Sequence, residues 1–600
     1  MALPSEAGST TDTRWNRNVG PDGTHYSGAF DSDTGFRPLF SRRSILAFVA
    51  VVGLAALVRF LGLSHPYTVY FDETYYANDA VVYMEGATAF SHNLDAYYGG
   101  TSRAGDVVPV GAVPGEISWV HPPLGKWAIA AGIAIFGKNP LGWRVSAALF
   151  GTVLVGLVYT GGMLLWGRPG LSALAAFLLA SDGLALTMSR IAMLDIFAAT
   201  FGFAAIVALL WNRSTLVALS ERFGFVEGEV ETEAYEPGGM SDPLERPFVD
   251  YSLDGTFEED NSTFFWAAEA APHASGAGEW GWGCRDAEGT GRSAGLSFED
   301  AAAADASSSY WSGDYAAVPD ISTDLEPSDR KAMRRGLGWC GFFLGLGLGT
   351  KLSTLFVWWL VLTGYSVWSV RYRLPWWSRT RALRSALPRM LIFLVVIPVA
   401  IYVLSFARFF AENQAGSIVS DPLGSVTEFV RMQVNTAKYH LGMHQDHPYM
   451  SSPLGWPVMA RPIALWYEDY GDGTRGHILA VGNPVLWWGY LGVAPALLGL
   501  ILSRRRFQDA FVLAGYASQY LPWFFFSRTA FFYYMLPAVP FMALGFAAVG
   551  ANLGPKARRA FLVGVTAAAA GAGIVFYPIW VGARIPEDLW SRLMLFRSWI

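Results

Sequence analysis

Two adjacent carboxylates, Asp72 and Glu73, stand just beyond the first long apolar run of the chain. An ionised carboxylate near hydrocarbon costs free energy, which invites a functional reading beside the plain one of a solvated loop acid. A carboxylate there would accept the proton of an attacking hydroxyl, as the analogous base of a glycosidase activates water. Binding of a hard cation is the other chemistry open to the pair.

Four cations fall at or near the ends of apolar runs on the same side as this pair: Arg59, Arg144, Arg190 and Lys351. They suit a phosphate carried on a lipid, and equally side chains that snorkel to the interface. Asp195 follows Arg190 by five residues and reads first as its ion-pair partner. The stretch His121-Pro122-Pro123-Leu124-Gly125-Lys126 reads as a helix start, because proline at the first turn loses no needed N–H and a helix start favours a bound anion. His440, His444, Asp446 and His447 form a cluster in which His-x3-His would share a helical face. The missing His-Glu-x-x-His pattern and Pro448 weigh against zinc and for a substrate or structural role.

The elements that must position these groups are membrane helices. Of 600 residues, 52% are apolar, 15% aromatic and only 15% charged, and mean hydropathy is +0.30. That is too little charge to cover a soluble body of this size. Runs of about 20 residues, the length that crosses ~30 Å of hydrocarbon, are expected at 44–63, 144–166, 170–189, 192–212, 336–352, 354–371, 388–409, 483–503, 508–526, 529–551 and 559–580. The expected fold is therefore an all-α polytopic membrane protein with about 11 transmembrane helices. Residues 72–87 and 122–137 read as short interfacial helices within the first outer loop.

With the amino terminus placed in the cytoplasm, every dense basic cluster falls on one side, including Arg42-Arg43, Arg334-Arg335 and Arg504-Arg505-Arg506. This is the positive-inside pattern, and it leaves the carboxyl terminus outside. The expected organisation is a disordered cytoplasmic tail (1–43), an amino-terminal membrane module (44–212) with an outer loop at 64–143, an acidic disordered cytoplasmic insert (213–335), further membrane helices (336–409), a second outer loop (410–482) and a carboxyl-terminal membrane module (483–600). Between Glu221 and Asp329 there are 25 acidic and 4 basic residues, a composition that does not bury a core. The two cysteines, Cys284 and Cys340, read as free thiols.

Taken in order, these pieces resemble the protein O-mannosyltransferase family of the GT-C membrane glycosyltransferases. The matching stretches are Arg59 ahead of VYFDETYYA, then HPPLGKW at 121–127, GWRVSAALFG at 142–151, SRIAMLD at 189–195 and GLGLGTKLS at 345–353. YH at 439–440, HPY at 447–449, SSPLGWPVMARPIALWYED at 451–469, NPVLWW at 483–488, YLPWFFFSR at 520–528 and FFYYMLPAVPF at 531–541 complete the set.

The resemblance implies a GT-C fold and inverting transfer of mannose from polyprenyl phosphate mannose to Ser/Thr hydroxyls of exported proteins. It implies no cofactor or metal, and a setting in membrane lipid beside the export machinery with no nucleic acid. Asp72 would be the general base and Glu73 would support acceptor binding or geometry. The positions carried over for substrate or loop scaffold are Arg59, His121, Lys126, Arg144, Arg190, Asp195, His440 and Arg461. Lys351 is placed mainly by its position as a cation at the outer end of a span. The second outer loop, with about 70 residues, has no room for the β-trefoil domain of eukaryotic relatives, so a bacterial plasma-membrane form is implied. Two other readings stay open: a GT-C enzyme acting on a lipid or cell-wall polymer, and a transporter.

Overall fold

The structure is a computed structural model and describes residues 41–85, 89–90, 116–117, 120–222, 327–371, 384, 386–411, 417–442 and 446–600. The described residues belong to one compact unit. Most of the insert expected at 213–335 lies outside the described residues, as do nearly all of the tail expected at 1–43, Cys284 and His444.

The helices run, in chain order, α1 Arg42–Phe60, α2 Glu73–Glu85, α3 Leu124–Phe136, α4 Pro140–Trp166, α5 Pro169–Ala180, α6 Gly183–Met188, α7 Leu194–Arg222, α8 Pro327–Leu348 and α9 Thr354–Arg371. They continue with α10 Ala386–Ser405, α11 Ala407–Ala411, α12 Pro422–Gly442, α13 Pro484–Arg504, α14 Phe507–Tyr520, α15 Val539–Ala551, α16 Pro555–Val581 and α17 Glu587–Leu593. Seven helices are long and apolar enough to cross a membrane: α1, α4, the first 22 residues of α7, α10, α13, α16, and α15 with the 3-10 turn that leads into it (Phe532–Ala551). The 13 residues of α3 rise about 20 Å, short of the ~30 Å of hydrocarbon.

Local chemistry sets the boundaries. Helix α4 starts where the Asn139 side chain accepts the Gly142 N–H at 3.1 Å ahead of Pro140, and stops at Gly167 in the left-handed region (φ 61°). The single run expected at 170–189 is broken in two, because Asp182 caps α6 by accepting the Ala185 N–H at 2.9 Å. Its other oxygen accepts the Asn483 N–H at 2.9 Å and Trp487 Nε1–H at 2.8 Å. One buried carboxylate thus ties α6 to the start of α13. The wider sequence expectation of an all-helical chain gains a small antiparallel sheet, β3 Ile463–Asp469, β4 Thr474–Ala480 and β5 Ile585–Pro586, preceded in the chain by the two-residue pair β1 Ala89–Phe90 and β2 Glu116–Ile117. Gly471 and Gly473 (φ 72° and 80°) let β3 turn back into β4.

Burial separates a centre from a rim. The apolar windows of α7 and of Phe532–Ala551 are 83% and 89% buried, whereas those of α10 and α16 are 11% buried. Rim residues such as Leu46, Leu404 and Ile574 are 68–77% exposed. Facing water, each would forgo roughly 1.5–3 kcal/mol of burial; facing lipid, they are in their preferred solvent.

Candidate active site

The site gathers where the starts of α2, α3 and α7 meet the turn after α8. Gly125 makes this close approach possible. A Cβ there would stand 2.8 Å from Leu194 Cδ2 and 2.9 Å from Thr350 Cγ2, and the neighbouring Leu124 N–H donates to Gly349 O at 2.9 Å. The helix start read in HPPLGK is thereby seated on the turn that carries Lys351 and against the helix that carries Asp195. Changing Gly125 to Val is expected to push these elements apart, lowering both thermal stability and turnover; melting and initial-rate measurements on the purified variant check this.

Lys351 Nζ bonds Asp195 Oδ1 at 2.7 Å, with both side chains nearly buried. The pairing of Asp195 with Arg190 expected from spacing does not form. Arg190 turns to the end of α1, donating to the carbonyls of Val58, Arg59, Leu61 and Gly62 at 2.8–3.3 Å. A helix end leaves such carbonyls without partners and attracts a cation. Lys351 also lies 5.7 and 5.4 Å from the ring centres of Tyr533 and Tyr534.

Asp72 sits at the foot of α2, and its backbone carbonyl accepts the Tyr75 and Tyr76 N–H groups at 3.1 and 3.0 Å. The preceding residue, Phe71, takes φ 51°. No group among the described residues hydrogen-bonds the Asp72 carboxylate. Burial, offset in part by Lys351 and reinforced by the charge of Asp195, pushes its pKa up to about 7.

Glu73 has a different environment. Fully buried, it takes a bidentate bond from Arg144, Nε to Oε1 at 2.7 Å and Nη2 to Oε2 at 2.9 Å. It also accepts the Ala192 N–H at 3.1 Å and the Tyr70 N–H at 3.4 Å. Arg144 spends its remaining donors on Leu63 O, Pro66 O and Thr68 O at 2.7–3.3 Å. Two neighbouring carboxylates are thus sorted by environment: one is spent on holding the loop, the other is left free.

His121 and His440 face each other with ring centres 5.1 Å apart. His440 donates Nε2–H to Val120 O at 2.8 Å and accepts from Arg528 Nη1 at 3.1 Å through Nδ1. Burial, opposed in part by the Val120 bond, lowers its pKa to about 4, and burial also drives that of His121 well down. Both rings are therefore neutral near pH 7. Arg528 further donates to Tyr534 Oη at 3.1 Å.

The other positions singled out in the sequence lie in scaffold contacts. Lys126 pairs with Asp79 at 2.8 Å with both side chains buried, joining α3 to α2. Arg59 Nε donates to Ser189 Oγ at 3.1 Å. Arg461 binds Pro448 O and Ser598 O at 2.8–3.2 Å. Of the histidine cluster, His447 packs edge-on against Phe531 and His440 bonds Val120 O and Arg528, while His444 lies outside the described residues. Among the described residues no group of three His, Cys, Asp or Glu stands together as a metal set.

Arg528, Tyr533 and Tyr534 were missed as site residues. All three lie in aromatic-rich stretches that match a family pattern, and Arg528 carries the further signal of a lone cation between apolar runs.

A carboxylate of raised pKa, two cations and an aromatic wall stand together beside the ends of the apolar helices. Comparison with known proteins gives the class as a GT-C membrane glycosyltransferase. The fold matches a solved structure of the S. cerevisiae protein O-mannosyltransferase Pmt1-Pmt2 complex bound to the sugar donor, with a TM-score of 0.62, 12% identity, and coverage of 97% of this chain and 96% of that one. Residues 119–226 match the family model described as dolichyl-phosphate-mannose-protein mannosyltransferase, and 425–599 that of the C-terminal four-helix membrane region of protein-O-mannosyltransferase. The chain is 26% identical to the polyprenol-phosphate-mannose–protein mannosyltransferase of Mycolicibacterium smegmatis over 94% of both chains. It is 25% identical to that of Mycobacterium tuberculosis over 94% of this chain and 93% of the other. The chain is thus similar over nearly its whole length to protein O-mannosyltransferases, and two separate stretches of it match models of that family.

Proposed function

We propose that this protein transfers mannose from polyprenyl phosphate mannose to Ser/Thr hydroxyls of exported proteins at the extracytoplasmic face of the bacterial plasma membrane, with inversion at the sugar carbon. Its amino terminus is cytoplasmic and its carboxyl terminus extracytoplasmic, following the distribution of basic clusters. The observation that carries the chemistry is the Asp72 carboxylate, half-buried and free of hydrogen bonds beside the Lys351–Asp195 pair.

In the proposed reaction the acceptor hydroxyl oxygen forms a bond to the anomeric carbon while its proton passes to Asp72. The bond from that carbon to the phosphate oxygen breaks, and its electron pair leaves with polyprenyl phosphate. Lys351 and Arg528 lie on the same cluster of aromatic rings and stabilise the departing charge. A phosphate leaves as a stable anion, so no general acid is needed. Glu73 and Arg144 hold the loop that aims Asp72.

The test is transfer of labelled mannose from polyprenyl phosphate mannose to a Ser/Thr-rich peptide in membranes carrying the chain. Labelled peptide supports the reading. Label in a lipid or polymer fraction instead would reassign the acceptor, and absence of any transfer from well-inserted protein would sink the proposal. Within this reading, Arg528→Ala is expected to raise the KM for the donor and lower kcat, together costing roughly 2–4 kcal/mol of transition-state stabilisation by analogy with loss of one electrostatic donor. Steady-state kinetics with varied donor check it; an unchanged KM and kcat would remove Arg528 from the phosphate role.

A further inference from the structure

Helix α12 buries the wrong face for a helix in water. Its packed side consists of Ser425, Glu428, Met432 and Thr436. The opposite side carries Leu423, Val426, Val430, Val434 and Leu441, between 46% and 78% exposed. Their spacing keeps them on one stripe of a 3.6-residue helix. Arg431 and Lys438, both exposed, lie along one edge of that stripe.

The depth of α12 says what covers the stripe. Its middle is hydrogen-bonded to α10, Tyr402 Oη to Gln433 Oε1. Tyr402 lies three residues, about 5 Å, before the end of that membrane span. The same face packs on Phe406 and Phe409 and on Tyr83 of α2, a belt of rings at the level where membrane and water meet. A helix held at that depth, with an aliphatic stripe outward and cations along its edge, has the make-up of one lying in the headgroup region.

We infer that α12 is an interfacial helix whose Leu423–Leu441 stripe is seated in the lipid leaflet on the active-site side, with Arg431 and Lys438 against anionic headgroups. The seat is linked to the site, because α12 carries His440, which bonds Val120 O and Arg528. Membrane contact therefore holds one wall of the pocket in place. The inference stands on geometry and composition and does not depend on which sugar or acceptor is used.

A spin label tests it directly. Val430→Cys and Arg431→Cys, one at a time, are labelled in a chain whose Cys284 is replaced by Ala; Cys340 is fully buried and stays unlabelled. The intact protein is placed in nanodiscs of phosphatidylglycerol and phosphatidylcholine. Collisions with oxygen should exceed those with a water-soluble nickel chelate several-fold at 430, and the order should reverse at 431. Nickel access at 430 equal to that at 431 would overturn the proposal. So would dipolar coupling between 430 labels of two copies, or shielding at 430 that appears only when a Ser/Thr-rich peptide is added, since the stripe would then belong to a second copy or to polypeptide.

Discussion

Asp72→Asn is expected to abolish measurable transfer while the chain still inserts and folds. Loss of a general base costs about 10²–10⁴ in rate, and the substitution keeps the shape of the side chain. The expected fall is in kcat, with donor KM little changed, because Asp72 meets the acceptor hydroxyl rather than the phosphate. The wild-type pH profile should carry the same signature. With the carboxyl pKa raised to about 7, kcat/KM rises with pH up to that value and levels off above it. The stability contribution has the opposite slope. Between the unfolded value of 3.8 and about 7 the native state holds this proton more firmly than the unfolded chain, so folding loses support as pH rises through that window. Asp72→Asn removes that loss, and its melting temperature at pH 8 should equal or exceed that of the wild type. A flat pH–rate profile between pH 5.5 and 8.5, or near-normal turnover by the Asn variant, would take Asp72 out of the base role.

Arg144→Ala should be the most damaging substitution for stability. It strands the buried, ionised Glu73, a change that costs about 3–5 kcal/mol when one partner of a buried pair is removed. It also leaves Leu63, Pro66 and Thr68 carbonyls without their donor, each worth about 1–3 kcal/mol if it stays dry. Arg144→Lys should rescue little, since a single ammonium cannot reproduce the two-pronged contact with both Glu73 oxygens. Glu73→Gln in the Arg144→Ala background should recover part of the loss by removing the stranded charge. Thermal inactivation half-lives of the three variants in detergent give the comparison. Where folded protein survives, kcat should fall more than donor KM rises, because the loop that is freed aims Asp72. An Arg144→Ala chain as durable as the wild type would show that the pair is not what fixes the first loop.

The two cases divide the carboxylates in a way that adjacency alone does not. Asp72 and Glu73 are neighbours of similar chemistry, and residue type alone does not say which of them is the base; the supporting role of Glu73 came only from resemblance. Rotation by one residue at the start of α2 carries Glu73 inward onto an arginine from α4 and an amide ahead of α7, while Asp72 is left toward the Lys351 turn. Arg59, Lys126, Arg190 and Arg461 show the same limit for cations. Charge type marks them as costly and therefore purposeful, yet all four satisfy carbonyls, a hydroxyl or a buried acid within the fold.

Much of the protein was legible before any coordinates. Apolar run length located seven of the eleven expected spans as helices long and apolar enough to cross a membrane, since hydrocarbon thickness and helix rise leave little freedom, and Asp72, Lys351 and the HPPLGK helix start were named from residue type and position. The sequence also marked Asp195, but with the wrong partner, because five residues of separation say nothing about which way a loop turns when a helix end nearby offers four carbonyls to Arg190. The break at Ser181-Asp182, the Arg528–His440 contact and the inverted faces of α12 were decided only in three dimensions. Each depends on a meeting between segments far apart in the chain: Asp182 with Asn483, Arg528 with His440, Gln433 with Tyr402. Periodicity records which face of a helix is apolar, but not whether lipid or protein lies against it; that is settled by packing depth.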